Sequence, residues 1–269
     1  MPFAQIAGIG SYLPERRLTN AELEQMVDTS DEWITTRTGI KERRVAAEGE
    51  STSDLAAKAG LAAIADAGLA PADIGMVVLA TSSPDLAMPS TACSAIAKMG
   101  VACPAFDVMA ACTGFVYALQ VATDAIAAGR ARHVLVVGAE AMTRYIDFTD
   151  RATCVLFGDG AGAVVFSAAD APGVRCIRLG ADGSGADLLT SGFGAANPPS
   201  AEACARGDGY LKMAGKEVYK FAVRVVPEVS VPEANRFRST AWVLSISTWR
   251  ASMRRRSPRQ VWQGVLLMN

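Results

Sequence analysis

Pro104–Gly129 reads PAFDVMAACTGFVYALQVATDAIAAG. An apolar run, Ala105 to Ala111, is followed by Phe115, Leu119, Ala122 and Ile126, the spacing of a buried helix face. The stretch therefore predicts a buried strand, a tight join and a helix. Cys112 stands at the join. First-turn N–H groups of a helix lack internal partners, and the positive end of the helix dipole favours thiolate over thiol. Thr113 and Gly114 are small and leave room for a substrate. This pattern reads as a nucleophilic cysteine. A buried structural cysteine is the competing reading, because free Cys packs as a small hydrophobe.

Working outward, the same alternation recurs. Ala4 to Gly10 predicts a first strand. Thr19 or Asn20 caps a helix running to Val27. Ser51 to Gly68 predicts an alanine-rich helix with polar residues at its start and glycine at its end. Gly75 to Ser82 is the continuous apolar run of a strand covered on both faces. Ser90 to Met99 predicts a helix, and His133 to Ala139 and Ala161 to Ser167 predict two more strands. Strands and helices in this order predict parallel βαβ units in an α/β fold, with residues 1–170 forming a helix-covered sheet. Gly158-Asp-Gly-Ala-Gly162 is not a phosphate loop, because an apolar strand and not a helix follows it. Lys212 to Val226 predicts a helix with Val218, Phe221 and Val225 on one face.

Half of the residues are hydrophobic and the net charge is -1, which gives no overall attraction to nucleic acid or to a membrane surface. The first residues lack the basic start and apolar run of a signal peptide, and no stretch is apolar enough for a membrane helix. The six cysteines form no C-x-x-C pair, so they read as reduced cytosolic thiols and not as a zinc site or disulfide frame. Trp33 and Arg37 lie four apart and share a helix face, which by itself reads as an amphipathic surface helix.

Ala110-Ala-Cys-Thr-Gly-Phe115 resembles the nucleophile motif of the beta-ketoacyl-[acyl-carrier-protein] synthase III family. The resemblance runs from Ile6 to about Ser230, through GIGSYLPERRLTNAELEQMVDTSDEWITTRTGIKERR, LATSSPDLAMPSTAC, DFTDRATCVLFGDGAGAVV, GADGSGADLLT and LKMAGKEVYKFAV. It implies a thiolase-like layered α-β-α fold, with a complete N-terminal half (1–170), the start of a C-terminal half (171–230) and a divergent segment (231–269). It implies an acyltransferase that condenses an acyl-coenzyme A primer, such as acetyl-coenzyme A, with malonyl-acyl-carrier protein to start fatty-acid synthesis. Catalysis passes through acyl-Cys112. Coenzyme A enters as a thioester substrate, with no metal or other cofactor, and the enzyme is a cytoplasmic homodimer. By resemblance Thr29, Trp33, Arg37 and Arg151 bind coenzyme A, with Trp33 and Arg151 covering the two faces of the adenine. Met88, Met213 and Gly215 line the acyl pocket, Met88 from across the dimer interface.

Residues 234–269 hold seven arginines, three of the four tryptophans, and no Asp, Glu or Lys. The family's histidine, its asparagine and its glycine-rich oxyanion segment cannot be placed there. The only histidine, His133, matches no catalytic position. The expectation is an out-of-frame or truncated end that leaves a slow acyl acceptor. The alternatives are a genuine basic tail around Arg254-Arg255-Arg256, or a non-catalytic partner of an intact subunit.

Overall fold

The computed structural model describes residues 1–171, 173–174 and 176–237. Of the segment 231–269 singled out above, everything from 238 onward, the Arg254–Arg256 run included, lies outside the described residues.

In chain order the elements are β1 (Phe3–Tyr12), β2 (Arg16–Thr19), α1 (Asn20–Leu23), α2 (Asp31–Thr38), β3 (Glu42–Val45), α3 (Thr52–Asp66), β4 (Met76–Ala80), α4 (Thr91–Met99), β5 (Ala105–Val108), α5 (Gly114–Ala127), β6 (His133–Ala141), α6 (Arg151–Cys154), β7 (Asp159–Ala169), β8 (Leu189–Thr190), α7 (Ala201–Ala205), β9 (Lys212–Met213) and α8 (Gly215–Phe237). Five strands make the main sheet, in the order β1-β7-β6-β4-β5.

The alternation of side chains in the central strands builds the layers. Val77 and Leu79 of β4, with Leu135 and Val137 of β6, pack against α3 and α4. Val78 and Ala80, with Val134 and Val136, face the other way onto Ala118, Leu119, Ala122 and Ile126 of α5. Each fully buried Val, Leu or Ile contributes about 1.5–3 kcal/mol, so a strand apolar on both faces is stable only between two helical layers. The helix face read from the α5 sequence is the face that is buried.

The sheet is mixed, which corrects the expectation of parallel units throughout. β4 runs parallel to β5 and β6, but β7 runs antiparallel to β6 and to β1. A parallel return needs a crossover along a sheet face. The link from β6 to β7 instead spends its residues on a short turn at Met142–Tyr145 and on the four-residue α6. Two further expectations shift. The helix that starts at Thr19 closes after Leu23, with Thr19 and Glu22 forming a capping box. Lys212 and Met213 do not open a helix: they pair with Thr190 and Leu189, and α8 begins at Gly215.

Gly8 and Gly10 let β1 lie against α3. A Cβ at either would run into the α3 backbone at Ala59, Ala63 or Ala67. β4 and β5 end at one level, where Ala80 pairs with both Val108 and Gly138, and β6 runs three residues further, to Ala141. Beside this end lies a third core of Leu18, Leu23, Ile34, Ile40, Met142, Ile146, Val155 and Leu211. Arg43 is buried in that region, donating to Asn20 Oδ1 at 2.8 Å and to the Val155 carbonyl at 2.7 Å. Burial lowers its pKa to about 10, against the opposing pull of Cys154.

Candidate active site

Chain direction changes abruptly after β5. Ala111 has φ 45°, the one non-glycine residue with positive φ among those described. An L-residue in this region costs roughly 1–2 kcal/mol. Such strain persists only where surrounding structure fixes it, and it concentrates at functional sites. The 3₁₀ turn Ala111–Thr113 carries Cys112 and hands directly to α5. Gly114, buried at the first position of α5, packs on the end of β4, where a Cβ would lie 3.3 Å from Ala80 Cβ. The strained turn and this close approach bring Cys112 to the level where β4 and β5 end, and there its residue is open to solvent.

The electrostatics differ from the reading of a favoured thiolate. Protein packed around Cys112 pushes its pKa up, its own backbone N–H pulls it down, and the Glu140 carboxylate pushes it up again. Desolvation and a like charge outweigh one amide dipole. Glu140, near the end of β6, is 4% exposed. Its Oε1 accepts the Ser82 N–H at 2.8 Å, and its Oε2 accepts the Ser83 hydroxyl at 2.5 Å and the Thr81 hydroxyl at 3.4 Å. Burial raises its pKa to about 7 despite those bonds. Sequence reading missed Glu140. The available signal was an acid inside the apolar run from Val134 to Ala141, since a buried carboxylate needs dedicated donors.

A second cluster gathers on α2 and α6. Ser30 caps α2 by accepting the Trp33 N–H. Ser30, Glu32, Trp33, Thr36 and Arg37 line an open cleft of about 340 Å³. Arg151 stacks on Trp33, its guanidinium carbon 4.3 Å from the ring centroid. Thr29 Oγ1 and Arg151 Nε are buried without a hydrogen-bond partner among the described residues. The structure thus brings Thr29, Trp33, Arg37 and Arg151 to one corner. It closes Arg151 directly onto Trp33, and leaves no gap between them for a ring.

Met213 packs on the third core, the core that Trp33 also borders, and Gly215 lies against the Met213 methyl group. Met88 is 84% exposed in the β4–α4 loop. His133 sits at the opposite, N-terminal end of β6, its Nδ1 2.7 Å from the Ser167 hydroxyl. Burial and Arg132 lower its pKa. Among the described residues, no group of three or more His, Cys, Asp or Glu converges as a metal site. No described helix is long and apolar enough to cross a membrane.

The model of 3-oxoacyl-[acyl-carrier-protein (ACP)] synthase III matches residues 106–189, a span that includes Cys112, Glu140 and Arg151. The beta-ketoacyl-[acyl-carrier-protein] synthase III of Neisseria gonorrhoeae is 51% identical over 234 residues, covering 86% of this chain and 71% of that protein. The chain belongs to the beta-ketoacyl-[acyl-carrier-protein] synthase III family. The synthase III of Xylella fastidiosa is 52% identical over 84% of the chain and 69% of its own length. The crystal structure of the Aquifex aeolicus synthase III superposes with a TM-score of 0.78 at 44% identity, covering 87% of this chain and 71% of that one. The layered α-β-α architecture of this synthase III chain is accordingly thiolase-like.

Proposed function

We propose that this chain primes fatty-acid synthesis by condensation, with Cys112 as the acyl acceptor. The observation that carries the reading is the position of Cys112: an exposed residue on a strained turn at the head of a buried helix, inside the segment shared with the synthases. In the first half-reaction the thiol loses its proton and sulfur attacks the carbonyl carbon of acetyl-coenzyme A or a related acyl-coenzyme A. Collapse of the tetrahedral intermediate expels the coenzyme A thiolate, which takes up a proton. The Cys112 backbone N–H is a candidate donor to the developing oxyanion. In the second, malonyl-acyl-carrier protein loses carbon dioxide, its carbanion attacks the carbonyl carbon of acyl-Cys112, and collapse breaks the carbon–sulfur bond and frees the Cys112 thiolate. That step needs two donors on the malonyl thioester oxygen. His133 lies at the opposite end of β6 from Cys112 and is not one of them; the described residues account for the acyl-uptake half.

Trp33 and Arg151 are the proposed grip on the adenine, with Thr29 and Arg37 beside them. A ring between the two would need about 3.5 Å on each side, so Arg151 swings off Trp33 as the nucleotide enters. The buried polar atoms of Thr29 and Arg151 that lack partners support this reading. Met88, Met213 and Gly215 are the proposed acyl-pocket residues. Residues 1–170 act as the nucleophile-bearing half and 171–230 as the start of a second.

The proposed homodimer forms along β5, an edge strand of the sheet that bonds to β4 on one side only. Phe106 on that strand is exposed, and Met109 just past it is 69% exposed. Asp107 accepts the N–H groups of Thr91 and Ala92 at 2.6 and 2.7 Å, which draws the loop carrying Leu86 and Met88 toward the same edge. An exposed apolar strand edge invites a partner strand. This edge also suits the reading in which the chain serves as a partner to an intact subunit.

Intact mass after incubation with acetyl-coenzyme A tests the acyl-acceptor reading. The expected result is one acetyl group on the wild type and none on Cys112→Ala. Acetylation that survives the substitution overturns it.

A further inference from the structure

Glu140 has no part in the chemistry above, yet it is built into the floor of the site. It is held by three donors from one short segment, Thr81 to Ser83, which follows β4. That segment is pinned from other sides as well. The Thr81 N–H donates to the Val108 carbonyl, the Ser83 carbonyl accepts from Thr52, and the Ser83 hydroxyl accepts the Ala141 N–H. Ala80, immediately before it, is what Gly114 of α5 packs on. The chain of contacts therefore runs from Glu140 through Thr81–Ser83 and Ala80 to the start of the helix that presents Cys112. No Lys or Arg forms an ion pair with Glu140 among the described residues. Its charge is thus answered only by neutral donors and reaches the neighbouring ionisable groups.

Those groups come from three elements. Cys112 lies on the turn before α5 and feels Glu140 as a like charge. Tyr145, on the turn after β6, is raised first by burial, then by Glu140 and Asp85, and lowered by Arg144. Asp85, in the β4–α4 loop, is itself committed to the Ser53 N–H at the start of α3. Arg144 is directed to the Ala47 and Glu50 carbonyls.

We propose that Glu140 is a positioning residue for Cys112: it fixes the end of β4 beneath the start of α5, and its negative charge sets how readily the Cys112 thiol ionises. The inference rests on the reading of Cys112 as acyl acceptor, but its test uses no acyl donor. The pH dependence of Cys112 alkylation by iodoacetamide is followed peptide by peptide, with Cys204 of α7 as the internal reference. Glu140→Gln removes the like charge, so the midpoint for Cys112 moves down by about 0.5–1 unit and alkylation at about pH 8.5, where the wild-type carboxyl is ionised, rises roughly 3- to 8-fold. Glu140→Asp keeps a charge and restores the wild-type midpoint in part. A midpoint unchanged in Glu140→Gln, or one that moves up, overturns the proposal. Should Glu140→Gln fail to fold, the wild-type profile decides. As Glu140 ionises around pH 7, the rise in Cys112 alkylation falls below tenfold per pH unit and returns to tenfold above that interval, while Cys204 shows no such step. A tenfold rise per unit for Cys112 throughout overturns the proposal equally. A shifted midpoint with no acetylation of Cys112 would remove the proposed function and leave the role of Glu140 standing. Acetylation with no shift would do the reverse.

Discussion

Cys112 is held by main chain: a residue with φ 45° before it, a buried glycine after it, and a carboxyl with three donors beneath. Trp33 and Arg151 are side chains of an eight-residue and a four-residue helix, stacked on each other at the border of the third core, with Trp33 lining an open cleft. The first corner has one arrangement, because moving Cys112 would disturb three strands. On the proposed reading the second has two, because a cation over a half-buried ring contributes only about 0.5–2 kcal/mol and gives way to a better stacking partner. The chain thus places its reacting atom rigidly and its proposed nucleotide grip loosely.

Four substitutions break or sharpen this contrast, here in descending order of effect. Cys112→Ala removes covalent acetylation altogether, read by intact mass, and leaves the melting temperature within a few degrees. Any residual labelling breaks the assignment of the rigid corner. Glu140→Gln changes how stability depends on pH. The folded carboxyl titrates at about 7 and an ordinary one at 4.5. Between those values the folded chain therefore holds a proton that the unfolded chain has released. The contribution is whole below about 4.5 and is lost as pH rises through about 7, a span of up to about 3 kcal/mol. Denaturant melts at pH 5 and pH 8 should show the wild type losing stability across that interval more steeply than Glu140→Gln. Equal slopes would contradict a buried, uncompensated carboxyl.

Trp33→Ala should weaken retention of an acetyl-coenzyme A-type ligand roughly tenfold, about 1.4 kcal/mol, while the stability cost remains small. Calorimetric titration against unmodified Cys112→Ala protein reads this without turnover, and unchanged affinity would detach the loose corner from the nucleotide. Ala111→Gly relieves the positive φ and raises stability by about 1 kcal/mol or less. A clear loss of stability would mean that the turn is not strained.

The two corners were also unequally legible. The strand-join-helix around Cys112 announced itself through period and composition, and α5 buries the residues that the spacing selected. Trp33 and Arg37 announced only a helix face. Their gathering with Arg151, distant in sequence, depends on how α2 and α6 meet beside the third core, which no local pattern encodes. Glu140 was overlooked for a related reason. One acid within Val134–Ala141 shows its burial only once Ser82 and Ser83 arrive from the loop that follows β4. The direction of β7 was misjudged because strand signals carry no arrow. The brevity of the helix between β6 and β7 decided it.

The pairing of β1 has a consequence in time. Among the strands of the main sheet β1 bonds only to β7, Phe3 opposite Ala169 and Tyr12 opposite Ala161. A ribosome adding about 5–20 residues per second makes β1 first and its partner roughly ten to thirty seconds later. Throughout that interval Ile6 and Ile9 belong to a strand with no neighbour, while β4, β5 and β6 can already associate. Nascent chains halted before Asp159 should therefore be cut by protease at the amino end, and chains released past Ala169 should not.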